Sequence, residues 1–446
     1  MEAGPMPLEA GQKVKAEMAR TTLAVTKKLG EGTQGEVYLV EGPHGRQALK
    51  WYKPAQATLD QMTAIRALVQ AGPPRGAAGA RFIWPLDLVT AANAPQFGYL
   101  MRLIDTSRFA ELGEVQAHIK PVPGFRALAR ISYQLANSYR ALHLSGLCYR
   151  DISDGNLMFD PVAGEVLICD NDNVGVNRQS RSQVWGTMEY MAPEVIRGEA
   201  DPSTETDLHS LAVLLFNLWC WHHPFHGRME YELRVWDIPA KRKVYGSPVF
   251  IFDPRDRRNA LPDDPDYETA ADRWDFCPAS LRDLFTRAFT AGVKDPRRRV
   301  TEGEWQGLFL QLSDGIISCP KCRAENIWEP GKAGLACWNC STAVPLPPKL
   351  LVRTTAGAHH LLLTDGATLT REAAGLGGRE EGEAPVGQVV CNPANPAIWG
   401  IRNLSKGPWR VTFPGGESIE VPSQKSVPLN PGTKIDLGGV PAEIVP

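Results

Sequence analysis

The chain has 446 residues, of which 43% are hydrophobic and 22% are charged, and this balance permits ordinary folded cores. Its length predicts about three domains. Its net charge of −2 argues against nucleic-acid binding, because the overall field would not attract phosphates. The longest apolar run, 211–221, is too short to cross a bilayer, and the N-terminus lacks the order of a secretory signal. We therefore expect a cytoplasmic protein that binds neither membranes nor nucleic acid.

The beginning of the chain has a β pattern. Residues 1–20 are rich in Gly, Pro, Ala and charge, and this composition predicts a flexible lead-in. From Thr22 onward, apolar alternation predicts two strands joined by a glycine-rich turn. Residues 82–89 and 97–104 predict further short strands.

The pattern then becomes helical. Apolar residues recur at three- and four-residue steps over 128–142, which predicts an amphipathic helix. Residues 208–221 are apolar on every side, which predicts a helix buried in a large body that extends to about residue 312. A β-rich start followed by a helical body is an α+β arrangement.

The glycine-rich turn and the lysine that follows it form the first candidate site. Gly30, Gly32 and Gly35 precede Val37, and Lys50 stands 15 residues after Gly35 between apolar neighbours. Glycines let backbone N–H groups approach phosphate oxygens, because no Cβ stands in the way. Taken alone, the glycines would favour a plain hairpin turn, and the lysine would favour a solvated charge at a strand edge.

A second candidate site combines carboxylates with a carboxamide. Asp151 and Asn156 lie five residues apart, and Asp170 follows. A carboxylate can accept a proton, and hard oxygen ligands suit a divalent ion that bridges phosphates. The alternative is a structural turn rich in Asp and Asn.

Residues 186–194, Gly-Thr-Met-Glu-Tyr-Met-Ala-Pro-Glu, complete a set of four motifs. Each motif is a weak match, but in this order they resemble those of a serine/threonine protein kinase. The resemblance implies a two-lobed kinase fold with an N-lobe over 21–104 and a C-lobe over 105–314. It also implies transfer of the γ-phosphate of ATP to a Ser or Thr hydroxyl of a protein substrate.

The resemblance assigns a role to each candidate residue. Lys50 would hold the α- and β-phosphates, Asp151 would accept the hydroxyl proton, and Asn156 and Asp170 would bind Mg²⁺. Met101 would be the gatekeeper, next to the adenine hinge. The residues expected to contact ATP are Gly30, Gly32, Gly35, Val37, Ala48, Lys50, Met101, Arg102 and Ile104.

Other positions match supporting parts of the family. Asp207 matches the buried aspartate that braces the catalytic loop. Arg299 matches the arginine that pairs with the carboxylate of Glu194, and such a buried pair is structural. Ser180 and Ser182 lie in the expected activation loop and are candidates for phosphorylation.

One departure concerns the partner of the lysine. Kinases normally pair this lysine with a helix glutamate, but the only acid between Lys50 and Phe82 is Asp60. Gln61 is a polar candidate for the position. Thr58 and Gln61 could instead form a helix capping box.

The catalytic region departs from the family in three further ways. Ser153 replaces the usual lysine, Asp-Asn-Asp at 170–172 replaces Asp-Phe-Gly, and Tyr149 replaces the usual histidine. A nucleotide-binding pseudokinase scaffold is therefore the main rival. A small-molecule kinase is a second rival, but Ala-Pro-Glu at 192–194 and Arg299 favour protein substrates.

Two Cys-x2-Cys pairs form a separate module over 315–343. Cys319, Cys322, Cys337 and Cys340 can offer four thiolates to one tetrahedral Zn²⁺ ion. A closed four-sulfur site leaves no position for water, so we expect a structural zinc ribbon. A redox dithiol pair is the alternative. The other cysteines are scattered, which favours a reducing compartment.

The tail, 344–446, has short β-type runs among Gly and Pro residues, which predict a small β-sandwich. It resembles a forkhead-associated domain in part, and a plain interaction or dimerisation sandwich is equally consistent with the sequence. The whole arrangement resembles bacterial kinases of tellurium-resistance-type loci. That resemblance implies a metal-dependent phosphatase and a von Willebrand-type protein as partners.

Overall fold

The computed structural model describes residues 7–92, 94–177, 186–355, 357–376 and 383–446. The chain divides into two units, Met1–Val122 with Gln134–Gly303 and Pro123–Tyr133 with Glu304–Pro446. Among the described residues, no helix combines the length and the apolar character needed to span a bilayer. The phosphorylation candidates Ser180 and Ser182 lie outside the described residues.

The first unit begins with a closed antiparallel barrel in the order β1-β2-β3-β4-β6-β5. Its strands are β1 (Lys13–Ala16), β2 (Thr22–Glu31), β3 (Gly35–Gly42), β4 (Gly45–Tyr52), β5 (Asp87–Thr90) and β6 (Phe97–Met101). Strand β1 pairs with both β2 and β5, and this double pairing closes the sheet.

The N-terminal strand differs from the flexible lead-in expected over 1–20. Val14 and Ala16 are buried and alternate with exposed Lys13 and Lys15, so β1 has one face in the barrel core. The segment after it is fixed as well, because the carboxylate of Asp87 accepts the backbone N–H groups of Met18 and Ala19, at 2.9 and 2.8 Å. A four-residue alternation inside a polar segment is too short to predict a strand from sequence.

Helix α1 (Leu59–Ala71) begins at the expected cap and is followed by the short α2 (Gly76–Ala80). The hydroxyl of Thr58 accepts the backbone N–H of Gln61 at 3.2 Å. Gln61 does not return its side chain to Thr58 to complete a capping box; its amide donates to the hydroxyl of Tyr52 at 3.0 Å. The helix is thereby linked to the end of β4.

A helical body follows the barrel. Its helices are α3 (Leu112–Gln116), α4 (Phe125–Leu144), α5 (Pro193–Ile196), α6 (Thr204–Cys220), α7 (Arg228–Tyr231), α8 (Ile238–Gly246), α9 (Glu268–Phe276), α10 (Ala279–Lys294) and α11 (Glu302–Asp314). Two short antiparallel sheets pair β7 (Leu147–Cys148) with β10 (Gly175–Val176), and β8 (Leu157–Phe159) with β9 (Val166–Ile168).

Helix α6 is the buried helix that its apolar sequence predicts. Its start is fixed by a capping box, in which Ser203 accepts the N–H of Thr206 and Thr206 accepts the N–H of Ser203. Phe216, fully buried on this helix, has its ring centroid 5.2 Å from that of Phe285 and 5.6 Å from that of Phe289. Aromatic packing of this kind holds α6 at the centre of the body.

The second unit contains two further β regions. A hairpin pairs β11 (Ile316–Ser318) with β12 (Glu325–Ile327). Beyond it lie β13 (Lys349–Thr354), β14 (Gly357–Leu362), β15 (Thr368–Thr370), β16 (Pro385–Asn392), β17 (Asn395–Asn403), β18 (Trp409–Thr412), β19 (Ser418–Val421), β20 (Ser426–Pro428), β21 (Lys434–Asp436) and β22 (Pro441–Val445).

These later strands form two antiparallel sheets around one core. One sheet has the order β14-β13-β22-β21-β18-β19, and the other has the order β15-β16-β17-β20. Leu350 and Trp409 of the first sheet belong to the same buried cluster as Val389 and Ile401 of the second. Two sheets that share one apolar core form a sandwich.

The N-terminal strand gives a test of the fold. We expect Val14→Ala to lower the free energy of unfolding of the first unit by about 2 kcal/mol, because it removes buried methyl groups from the barrel core. Lys13→Ala, an exposed position on the same strand, should change it by less than about 0.5 kcal/mol. Urea unfolding of both variants measures the difference, and equal stabilities would contradict a packed β1.

Candidate functional site

Lys50 is a buried cation with two carboxylate partners. It lies on β4, and only 8% of its side chain is exposed. Its ammonium group forms an ion pair with Asp170 and another with Asp172, whose Oδ2 is 2.9 Å away. The side-chain oxygen of Gln34, in the glycine-rich turn, also accepts from the ammonium group at 3.1 Å. Three chain segments therefore meet at this one charge.

The glycine-rich turn connects β2 to β3. The N–H of Gly32 donates to the carbonyl of Gly35 at 2.8 Å, which closes the turn. A Cβ on Gly35 would stand 2.5 Å from the carbonyl oxygen of Trp51, so only glycine fits there. A Cβ on Gly30 would meet no described atom within 4 Å. The turn is therefore a β-hairpin turn, and it also brings Gln34 to Lys50.

An apolar surface lies beside this turn. Ala48 of β4 is paired with Met101 of β6, and Val37 of β3 is half-buried. Met101 and Ile104 pack against a cluster that contains Ile83, Phe109 and Leu167. Arg102 points elsewhere, since its guanidinium donates to the carbonyl of Ala80 at 3.3 Å. These apolar side chains of the barrel and of the segments after it offer a surface suited to a flat aromatic ring.

The carboxylate of Asp151 is held by two neighbours. Its Oδ1 accepts the backbone N–H of Thr187 at 2.8 Å and the Thr187 hydroxyl at 3.0 Å. Its Oδ2 accepts from the amide nitrogen of Asn156 at 3.1 Å. Burial raises the pKa of Asp151, and these hydrogen bonds oppose the shift. The result is an oriented carboxylate that is a stronger proton acceptor than an exposed one.

Asn156 and Asp170 are brought together by the hairpin of β8 and β9. The carbonyl of Asn156 accepts the N–H of Cys169 at 2.8 Å, immediately before Asp170. Asp170 adopts a left-handed backbone with φ of 55°. Burial and the nearby charge of Asp172 raise the pKa of Asp170 to about 6, although Lys50 acts in the opposite direction.

Asp207 anchors the backbone of the loop that carries Asp151. Its carboxylate accepts the N–H of Tyr149 at 2.6 Å and that of Arg150 at 2.9 Å. Arg150 has φ of 74°, a backbone conformation that non-glycine residues adopt only where the surroundings hold it. The hydroxyl of Tyr149 donates to the carbonyl of Cys169. The buried aspartate thus fixes the loop, and Tyr149 joins the loop to the segment before Asp170.

A histidine completes this anchor. His143, on α4, contacts Asp207 through Nε2 at 3.0 Å and Glu302 through Nδ1. Burial alone would lower the pKa of His143, but the two carboxylates outweigh it and raise the pKa to about 9. The imidazole is therefore charged at neutral pH and bridges two acids.

Arg299 and Glu194 form the expected buried pair. One guanidinium nitrogen of Arg299 lies 2.7 and 2.8 Å from the two oxygens of Glu194. The other terminal nitrogen donates to the carbonyl of Glu205 at 2.7 Å. Through Arg299, the segment that follows α10 is joined to α5 and to the start of α6.

Two of these residues had no assigned role at the sequence level. Asp172 was visible only as a departure from the family motif, in place of glycine. His143 ends an amphipathic helix, where a charged residue is ordinary. The signal for Asp172 was a carboxylate two residues after a metal-ligand candidate in a chain that lacks the helix glutamate.

The four paired cysteines also come together. Their sulfur atoms all lie within 4.8 Å of one another. Cys319 and Cys340 have sulfurs 3.7 Å apart, and those of Cys322 and Cys337 are 3.5 Å apart. A tetrahedron with metal–sulfur bonds of about 2.3 Å places its sulfurs about 3.8 Å apart. The donor set fits Zn²⁺, and the other five cysteines are free thiols outside the cluster.

Residues 99–304 match the protein kinase domain family. The serine/threonine-protein kinase sck2 of Schizosaccharomyces pombe is 30% identical over 46% of the chain and 32% of its own length. The serine/threonine-protein kinase PkaB of Streptomyces coelicolor is 25% identical over 45% of the chain and 48% of its own length. Protein kinase C delta type of Rattus norvegicus is 29% identical over 46% of the chain and 30% of its own length.

The chain therefore contains a protein kinase domain with serine/threonine kinase relatives, one of them bacterial. It spans only about a third to a half of the length of these relatives. The family match covers the region that contains Asp151, Asn156, Asp170 and Asp207.

The charged histidine predicts a pH-dependent stability. The folded-state pKa of His143, about 9, exceeds its ordinary value of about 6.5, so its stabilisation is complete below pH 6.5 and is lost as pH rises through 9. We expect His143→Gln to remove up to roughly 3 kcal/mol of unfolding free energy at pH 6 and much less at pH 9.5. Urea unfolding at both pH values measures this. An equal loss at both would mean that the imidazole acts through packing alone.

Proposed function

We propose that this protein is a serine/threonine protein kinase that uses ATP and Mg²⁺ to phosphorylate a protein hydroxyl. The family match over 99–304 supports the class of enzyme. The proposal rests on three contacts: the ion pair of Lys50 with Asp170, the hydrogen bond of Asn156 with Asp151, and the hydrogen bond of Asn156 with Cys169, the residue before Asp170. The same elements provide an apolar surface beside Met101 for the adenine.

The residues present fit the nucleotide and the metal. Lys50 would bind the phosphates, and the glycine turn would bring backbone N–H groups close to them. Asn156 uses its amide nitrogen on Asp151, which leaves its amide oxygen as a hard ligand beside the carboxylate of Asp170. When bound, Mg²⁺ neutralises the negative charge of the phosphates.

Asp151 would orient the substrate hydroxyl and accept its proton. Its raised pKa makes the carboxylate a better base, and Thr187 and Asn156 hold it in one orientation. Thr187 lies at the start of the Thr-Met-Glu-Tyr segment, so the residue that holds the base also lies at the docking end of the activation loop. Substrate docking and base orientation would therefore share one contact.

The rival is a nucleotide-binding scaffold without turnover. It is favoured by Ser153, which is buried and puts no cation where the family usually has lysine. The ion pair of Lys50 with Asp170 also favours it, because the two groups bind each other and not a phosphate or a metal ion. Both functions require ATP binding, so only phosphate transfer separates them.

Removal of the base gives the decisive test. With Mg²⁺ and radiolabelled ATP, we expect the wild-type protein to label itself or a generic protein acceptor. Asp151→Asn should reduce the rate at least about 100-fold while ATP binding persists, because the substitution removes the proton acceptor and keeps the shape. Asp170→Asn should abolish transfer and weaken Mg²⁺-dependent ATP binding.

Asp201→Asn is the matched control, an exposed aspartate of the same unit outside the site, and should retain the wild-type rate. Thermal unfolding of each variant reports whether it is folded. Wild-type protein that binds ATP yet labels no acceptor would favour the scaffold. Labelling that survives in Asp151→Asn would remove this residue from its proposed role.

We also propose that Cys319, Cys322, Cys337 and Cys340 hold one structural Zn²⁺. The sulfur spacing supports this, and four thiolates leave no open position for catalysis. Asn326 donates to the sulfur of Cys337 at 3.7 Å, and Thr342 lies 3.4 Å from that of Cys340. Such contacts stabilise thiolates, and the pKa of Cys340 falls to about 6 through its hydrogen bonds with Thr342.

Metal analysis tests the zinc site. We expect about one zinc ion per wild-type chain, and loss of that ion in Cys322→Ser together with a lower unfolding temperature of the second unit. Cys391→Ser is the control, because Cys391 is an exposed free thiol outside the cluster, and it should keep the metal. Full zinc content in Cys322→Ser would refute a four-cysteine site.

The remaining domain assignments are also proposals. They are a kinase region over 21–314, a zinc ribbon over 315–343 and a forkhead-associated-like sandwich over 344–446. The sandwich would serve as an interaction or dimerisation module. A metal-dependent phosphatase and a von Willebrand-type protein are the proposed partners.

A further inference from the structure

The ammonium group of Lys50 needs a permanent counter-charge. It is buried on β4, and a buried ammonium without a paired carboxylate is costly. Protein kinases normally meet this need with a glutamate on the helix that follows. Here that helix is α1, which carries one acid, Asp60, and Asp60 is exposed to solvent.

Helix α1 instead presents an amide to the site. Gln61 donates to the hydroxyl of Tyr52 at 3.0 Å and lies 3.4 Å from the carbonyl oxygen of Asp172. The hydroxyl of Tyr52 in turn donates to the carboxylate of Asp172. Helix α1 therefore helps to hold Asp172, which carries the counter-charge, but supplies no counter-charge of its own to Lys50.

The two carboxylates that contact Lys50 are not equivalent. The side chain of Asp170 is 32% exposed, whereas that of Asp172 is fully buried. Asp172 is bound by both Lys50 and Tyr52, and its other oxygen, Oδ1, is buried with no partner among the described residues. A partly exposed carboxylate can turn to a metal ion, but a buried one fixed by two donors stays with the lysine.

We propose that Asp172 is the positioning residue for Lys50, and that it replaces the helix glutamate of other kinases. The inference rests on the proposed function, because it concerns how the lysine is held for the phosphates of ATP. Asp170 would serve the metal, and Asp172 would keep the ammonium group in place. Two acids on one short segment thus take two separate tasks.

The test compares binding of ATP with binding of adenosine, which lacks the phosphates. We expect Asp172→Asn to weaken ATP binding at least 10-fold and to leave adenosine binding within 2-fold, because Lys50 acts on the phosphates alone. Competition against a fluorescent ATP analogue measures both affinities. Asp60→Asn, the acid on α1, is the matched control and should bind both ligands like the wild type. A residue with a merely structural role would weaken both ligands together.

Three results would overturn the inference. They are unchanged ATP binding in Asp172→Asn, an equal loss of ATP and adenosine, and a loss of ATP binding in Asp60→Asn in place of Asp172→Asn. Failure of the proposed function is a separate result. A wild type that binds ATP but transfers no phosphate still permits this comparison, whereas a wild type that binds neither ligand does not.

A stability cycle decides the inference in that case, and also if Asp172→Asn folds poorly. Lys50→Met removes the positive charge beside the buried Asp172 carboxylate, and Asp172→Asn leaves Asp170 as the one carboxylate beside the lysine among the described residues. We expect the double variant to lose less thermal stability than the sum of the two single losses. Losses that simply add would show that Asp172 is not the counter-ion of Lys50.

Discussion

The structure of the site depends on the burial of one positive charge. The ammonium group of Lys50 lies away from water, and this is tolerable only because carboxylates surround it. That requirement draws together β4, the glycine turn through Gln34 and the segment that follows β9. It also positions α1, since Gln61 reaches the same cluster through Tyr52. One buried charge thus brings these four segments together.

A second buried cluster does the same for the catalytic loop. Asp207 accepts two backbone N–H groups that the loop cannot satisfy internally, and the charged imidazole of His143 balances this acid and Glu302. Removing one member of such a network leaves the others unpaired in a medium of low dielectric constant. The loop can therefore keep the left-handed Arg150 that its path requires. The hydrogen bonds to Asp207 thus compensate for the backbone strain at Arg150, next to Asp151.

Sequence was informative wherever residue type and local spacing carry the chemistry. The cysteine pairs and the order of Lys50, Asp151, Asn156 and Asp170 need no knowledge of distant contacts. The pairing of Lys50 with Asp172 joins residues 122 positions apart, and no local pattern reports it. Strand β1 could not be predicted for a related reason, because its four residues form a strand by pairing with β5, which lies about 70 residues further along the chain.

A counter-charge for Lys50 on the segment that contains Asp170, and not on a helix, changes which parts of the site move together. With a glutamate on the helix, the lysine is sensitive to the position of that helix. Here Asp170 and Asp172 share a short turn, so any backbone movement there displaces the proposed metal ligand and the proposed partner of Lys50 together. Burial raises the pKa of both Asp170 and Asp151, and the charge of Asp172 adds to each shift. A bound divalent cation would relieve this repulsion, so metal binding and the ordering of the site favour each other.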